Sequence, residues 1–412
     1  MATRMNHPGD RCTSRLPAFT VPCIAGPHGA GRGLLSLFTV ATVLAMVGAI
    51  GLTTGCAATG SQKEKAEPAE RVFYPPPPAP PRIQHLTTLR QPRAWESTRR
   101  EGFAQWIAGH ARQAPEAAGR FISPYGMAVD RGRLYVCDVG GGRVHVIDLV
   151  QREYRTLGGT EIITPVNITI ADDGRRYVCD TGLNKVLVFD TEDRFLTHIT
   201  GPEGWRPIDL AIRGDELYVA DIRGGTIHVL DREGRPLRTI SERGRGPDQL
   251  HGPTNIAFGP NGLLHVSDTY RQTVKLFDTD GRFRGAIGGP GSALGRFARP
   301  KGIAIDEHGH IYVADSQWEV VQVFDPRGRL LLVFGGGGDP SLKHTMGMPA
   351  GLLIDRESID HFREHIDPAF EAEYLLFVIN QFGVNKIAVY AFGQARDEAA
   401  FDQVEATADR PE

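Results

Sequence analysis

Residues 300–325 read PKGIAIDEHGHIYVADSQWEVVQVFD. A short apolar run follows Pro300. His308-Gly309 then supplies a turn, a Tyr- and Val-bearing strand ends in Asp315, and a third strand ends in Asp325. Glycine and short polar residues at the reversals, with β-branched and aromatic residues between them, describe consecutive antiparallel strands. A three-stranded unit of this size cannot bury its own apolar faces, so it must stack on neighbours like itself.

Such neighbours are present. The pattern begins at Pro124 (PYGMAVDRGRLYVCDVGGGRVHVID), Pro165 (PVNITIADDGRRYVCDTGLNKVLVFD), Pro207 (PIDLAIRGDELYVADIRGGTIHVLD) and Pro253 (PTNIAFGPNGLLHVSDTYRQTVKLFD), before the copy at Pro300. A sixth, interrupted copy opens at Pro349 (PAGLLID) and resumes as YLLFVINQFGVNKIAVYAF. The starts lie 41, 42, 46, 47 and 49 residues apart. A period of this length with about four short strands per unit denotes propeller blades. The second strands end in Asp138, Asp180, Asp221, Asp268 and Asp315, with Asn380 in the sixth copy. Short polar side chains there can bond main-chain groups of the turn that follows, so their recurrence needs no catalytic explanation. The glycine-rich links, such as residues 288–291 and 335–338, lack a following Lys-Ser/Thr and are not a phosphate loop.

The repeat resembles the NHL repeat over about three quarters of the chain. That resemblance implies an all-β, six-bladed β-propeller occupying residues 82–393. The last copy ends with its third strand, and a polar tail, residues 394–412, follows. An unpaired strand-like run, RIQHLTTL at residues 82–89, precedes the first copy. Borrowing this N-terminal strand completes the last blade and closes the ring. Two insertions, residues 94–111 and 356–373, have the look of helices packed on the ring.

The composition is globular, with 41% hydrophobic and 23% charged residues. Residues 1–55 carry four arginines and one aspartate, so the remainder holds 42 basic and 48 acidic side chains. That balance excludes a nucleic-acid binder. Residues 34–52 (LLSLFTVATVLAMVGAIGL) are an uncharged run behind an arginine-bearing segment, the order of an export signal. Immediately after comes Thr53-Thr54-Gly55-Cys56, which resembles the lipobox of bacterial lipoproteins, with Leu52 one residue earlier than that family's leucine. Two readings stand: lipid attachment at Cys56, or an uncleaved apolar span over residues 1–55. Both place the rest outside the cytoplasm and on a membrane. Ala57 after the cysteine points to the outer membrane in a diderm bacterium. Residues 56–81, ending in YPPPPAPP, read as a semi-rigid tether.

Candidate chemistry gathers at the start of the first strands, which line a propeller's axis. Copies one, five and six have Gly126, Gly302 and Gly351, whereas copies two, three and four have Asn167, Asp209 and Asn255. Three oxygen-bearing side chains from consecutive blades predict a polar site at one channel mouth, for calcium or for a ligand, with Tyr125 and Lys301 at its border. A ring of polar groups bonding channel water and backbone is the plainer reading. Lactonase-type and peptide-amidating propellers bind calcium or zinc near the axis, but their motifs are absent here. The sequence HFREH, His361 to His365, has the spacing of an inverted zincin motif; a blade insertion with only a short chain after it favours a solvated face. Cys137 and Cys179 occupy equivalent positions of adjacent blades and are expected as buried free thiols. The functional expectation is a binding or scaffolding module for a protein, peptide or glycan of the cell envelope. The alternative is a calcium- or zinc-dependent hydrolase or lyase acting at the channel mouth.

Overall fold

The computed structural model describes residues 71–76, 79–95 and 119–396. The apolar run, Cys56, the tail after residue 396 and most of the first insertion lie outside them. Among the described residues, strands form six sheets, five of four strands and one of five. The chain is an all-β, six-bladed β-propeller. Each of the five regular blades is an antiparallel meander from inner to outer strand, as in Pro300–Ile305, Ile311–Asp315, Val320–Phe324 and Leu330–Gly335. The first strands touch their neighbours all the way round, the last returning to the first, Pro124–Asp130.

Apolar packing lies between the blades. Ile256 of blade four shares a cluster with Tyr218 and Ala220 of blade three, and Ile303 of blade five shares one with Val313 and Val274 across its own seam. Both faces of each middle strand are therefore buried, which is why RLYVCD or IYVAD reads as a continuous apolar run rather than an alternating one.

The strand Ile83–Leu89 pairs antiparallel with Ile387–Ala395, so the sixth blade takes its fourth strand from the other end of the chain. One further strand was not legible. Val72–Tyr74, inside the segment expected to be a tether, pairs with Ile83–His85 and adds a fifth strand at the outer edge. Its aromatic side chains pack inward: Phe73 meets Phe370, and Tyr74 meets Phe334 and Tyr390.

The second insertion needs correction. Residues 356–373 are not one helix: only Ile359–His365 forms a 3-10 turn, and the strand Phe370–Asn380 begins well inside the range. Phe370 and Tyr374 are buried while Glu371 and Glu373 are exposed, a period of two that pairs with residues 392–395. Asp367, whose carboxylate accepts the Ala369 N–H, and Pro368 mark the break. Of the first insertion only residues 94 and 95 are described, at the end of the 3-10 turn Pro92–Trp95.

The recurring aspartates do more than cap a turn. Asp138 accepts main-chain N–H groups from Ile122 and Ser123 in the loop before its blade and from Gly141 in the turn after its strand. Asp180, Asp221 and Asp315 repeat this double grip. Each carboxylate therefore staples an inter-blade loop to a turn, which fixes one face of the ring. Burial alone would raise the pKa of Asp138; the hydrogen bonds from His145 and from backbone overcome it and leave the carboxyl below its ordinary value.

Candidate functional site

Inner strands bring Asn167, Asp209 and Asn255 into one hydrogen-bonded row spanning blades two to four. Asn167 Nδ2 donates to Asp209 Oδ1 at 2.6 Å, and Asn255 Nδ2 faces Asp209 Oδ2 at 3.4 Å. The Leu210 and Ile256 N–H groups donate to the same two oxygens, both at 2.8 Å. Asn167 and Asp209 reach towards the following blade, and Asn255 reaches back to the preceding one. The glycines complete the ring for the same geometric reason. A Cβ on Gly126 would overlap the Asn167 side chain, one on Gly302 the Ala350 carbonyl, and one on Gly351 the Tyr125 carbonyl. Neighbouring first strands approach too closely there for any side chain.

These residues form the inner end of an axial cavity of about 480 Å³. Its walls continue along the first strands to Val129, Ile170, Ile212 and Ile354, so it opens at the turns between first and second strands. Tyr125 and Lys301 do not line it. They lie one residue earlier in their strands, in a buried layer with Val166, Ile208 and Ala350 that closes the axis beyond the row. There the Lys301 ammonium sits 5.5 Å from the Tyr125 ring centre and donates to Gln381 Oε1. Burial, aided by Arg299, lowers the Lys301 pKa to about 8.

Asp209 has no cationic partner among the described residues, and its four contacts are neutral donors. Desolvation raises its pKa to about 7, against the opposing pull of the Ile256 and Leu210 N–H groups. Asn255 Oδ1 is buried with no hydrogen-bond partner among the described residues. The row suits calcium badly. The three side chains hold only four oxygens, and Asn167 Oδ1 is already taken by the Ile168 N–H, whereas calcium asks for six to eight.

The HFREH residues are not assembled as a metal centre. His361 and Glu364 border a surface cavity with Arg152, His365 lies beside Glu364 Oε1 at 3.7 Å, and its carbonyl is bonded by Gln84. No group of three or more His, Cys, Asp or Glu suited to a metal occurs among the described residues. Cys137 and Cys179 are buried free thiols, with pKa values pushed up by burial.

A second feature escaped sequence reasoning. The start of each first strand pairs with the end of the second, as Pro300 does with Asp315, so inter-blade loops and second-to-third turns share one face. Thirteen large apolar side chains are exposed among the described residues, and eight lie on that face: Ile122, Ile163, Leu294 and Leu342 in the loops, Tyr270, Trp318, Phe382 and Val384 in the turns. They run from blade four round to the loop before blade two. Only Val150 lies on the opposite face; the other four are on outermost strands. Charge pairing divides in much the same way, Arg232 of the opposite face excepted, which donates to the Gly214 carbonyl. On the apolar face Arg243, Arg271 and Arg296 donate to main-chain carbonyls. On the opposite face Arg131, Arg194, Arg235, Arg282 and Arg329 pair with neighbouring aspartates.

Comparison with known proteins agrees with this architecture. A family model described as a 6-bladed beta-propeller matches residues 248–328, from the loop before blade four into blade five. No curated protein matches. A solved Bacteroides thetaiotaomicron protein of unknown function is similar at 16% identity, over 66% of this chain and 70% of its own, with a TM-score of 0.51. A Xanthomonas campestris gluconolactonase is similar at 17% identity, over 80% of this chain and 99% of its own, with a TM-score of 0.50. A virginiamycin B lyase from Staphylococcus aureus has 15% identity, covering 66% and 81%, with a TM-score of 0.48. At these identities the likeness concerns the fold alone.

Proposed function

We propose that this chain is an NHL-type, membrane-tethered propeller that works outside the cytoplasm as a binding module for a protein or peptide of the cell envelope. The one-sided distribution of exposed apolar residues carries the reading. Soluble surfaces scatter such residues singly, whereas a run of them along one face marks an interaction site. Aromatic residues and arginines, the types enriched at interfaces, occur together there. Because those arginines form no ion pair with an acid among the described residues, the partner surface is acidic with apolar side chains.

Trp318→Ser and Leu294→Ser test this directly. Both positions are exposed, at 44% and 76%, so the melting temperature should hold while capture of the envelope partner falls by about tenfold. Unchanged capture, with loss instead on Val150→Ser of the opposite face, would reverse the assignment. Capture of a glycan rather than a polypeptide would keep the module and replace the partner class.

For the anchor, the small residues before Cys56 support lipid attachment at that sulfur. Labelled fatty acid should enter the wild type and not Cys56→Ser. Equal labelling of both would leave the apolar run itself as the anchor.

A further inference from the structure

The axial cavity combines an apolar wall with a polar inner end. Met127, Ile168, Leu210, Ile256, Phe258 and Leu352 border its length, and Asn167, Asp209 and Asn255 its closed end. A volume of about 480 Å³ falls within the range of small-molecule sites; apolar side chains line most of its length, while polar atoms make up the larger share of its exposed lining. Two features of the inner end are unbalanced. Asp209 is a buried carboxyl whose contacts are all neutral donors. Beside it, Asn255, 5% exposed, holds an oxygen without a partner among the described residues. Tyr125, Cys137 and Cys179 also stand within electrostatic reach of Asp209, but they are neutral or anionic and supply no positive charge. Lys301 is turned to Gln381 and to the face of Tyr125.

A buried carboxylate is normally paired with a cation, and a buried carbonyl oxygen with a donor. One group answers both needs: an ammonium, with three N–H donors and a positive charge. We infer that the axial cavity takes a small amphipathic ligand, an apolar body bearing a primary ammonium, whose head is received by Asp209 and the Asn255 carbonyl oxygen. Binding is non-covalent. The ligand enters from the face of the first-to-second strand turns, opposite the apolar face assigned to the protein partner, so the two sites stand or fall separately.

Hexylammonium, hexan-1-ol and hexanoate share a chain and differ only in the head. Titrated calorimetrically at pH 8 into the full-length protein in lipid nanodiscs, with empty nanodiscs subtracted, hexylammonium should bind at least about tenfold more tightly than hexan-1-ol, and hexanoate should not bind. The Asp209→Asn variant should lose this preference and bind the amine and the alcohol alike. Equal affinity of the wild type for amine and alcohol, preference for hexanoate, or no saturable binding of any of the three would overturn the assignment. These comparisons need only the wild type, so a variant that fails to fold does not shelter the idea.

Discussion

The stability difference between wild-type protein and the Asp209→Asn variant should change steadily as the pH rises from about 4 to about 8, with the wild type losing up to about 4 kcal/mol relative to the variant. The cause is the buried carboxyl among neutral donors. Its folded-state pKa of about 7 exceeds the ordinary aspartate value of 3.8, so the folded state holds the proton more tightly than the unfolded chain. The stability this supplies is complete below about pH 4 and is lost as the pH climbs through about 7. Asparagine does not titrate and removes the slope. It also sets an NH2 group against the Ile256 and Asn255 donors, so the variant begins less stable at acid pH; the change of the difference with pH is the diagnostic quantity. Unfolding free energies from urea titrations across that range give the measurement. Parallel curves would mean that Asp209 stays ionised, balanced by something other than its contacts here.

The second large effect concerns closure. Ile83→Asp should cost about 3–5 kcal/mol and lower the denaturant midpoint sharply, because it deletes a buried apolar side chain and leaves an unpaired carboxyl in its place. Ile83 is 0% exposed and belongs to the cluster of Tyr312, Phe334, Tyr374 and Tyr390, where the fifth blade meets the last. It also pairs with Phe392 at the seam between the two ends of the chain. The control is Leu331→Asp, on an outermost strand and 53% exposed, which should move stability by no more than about 0.5 kcal/mol. Similar losses at both positions would show that the N-terminal strand is an accessory to the ring and not its closure.

The sequence by itself determined the blade and the number of blades. Each of the first five copies carries its own turn glycine, its own strand residues and its own terminal aspartate, and all of that information is local. A missing fourth strand in the sixth copy, set against an orphan run at residues 82–89, made even the closure legible before any coordinates. Where the pattern was interrupted, local reading failed. Residues 370–373 mix Phe, Glu and Ala in a way that serves helix or strand, and only the partner residues 392–395 decide for strand. Val72–Tyr74 is too short to read as a strand until the edge it covers is present.

The candidate site divides along the same line. That Asn167, Asp209 and Asn255 converge follows from the repeat register. The tertiary structure alone decided that Tyr125 and Lys301 fall in a packed layer beyond the row, since they sit one position earlier along the strands. It also decided that Asp209 receives only neutral donors, and that loops and turns of unrelated sequence place eight apolar side chains on one face. Periodicity fixes which residues repeat. Which of them meet, and with what charge, depends on contacts between blades some forty residues apart, and no local pattern encodes those.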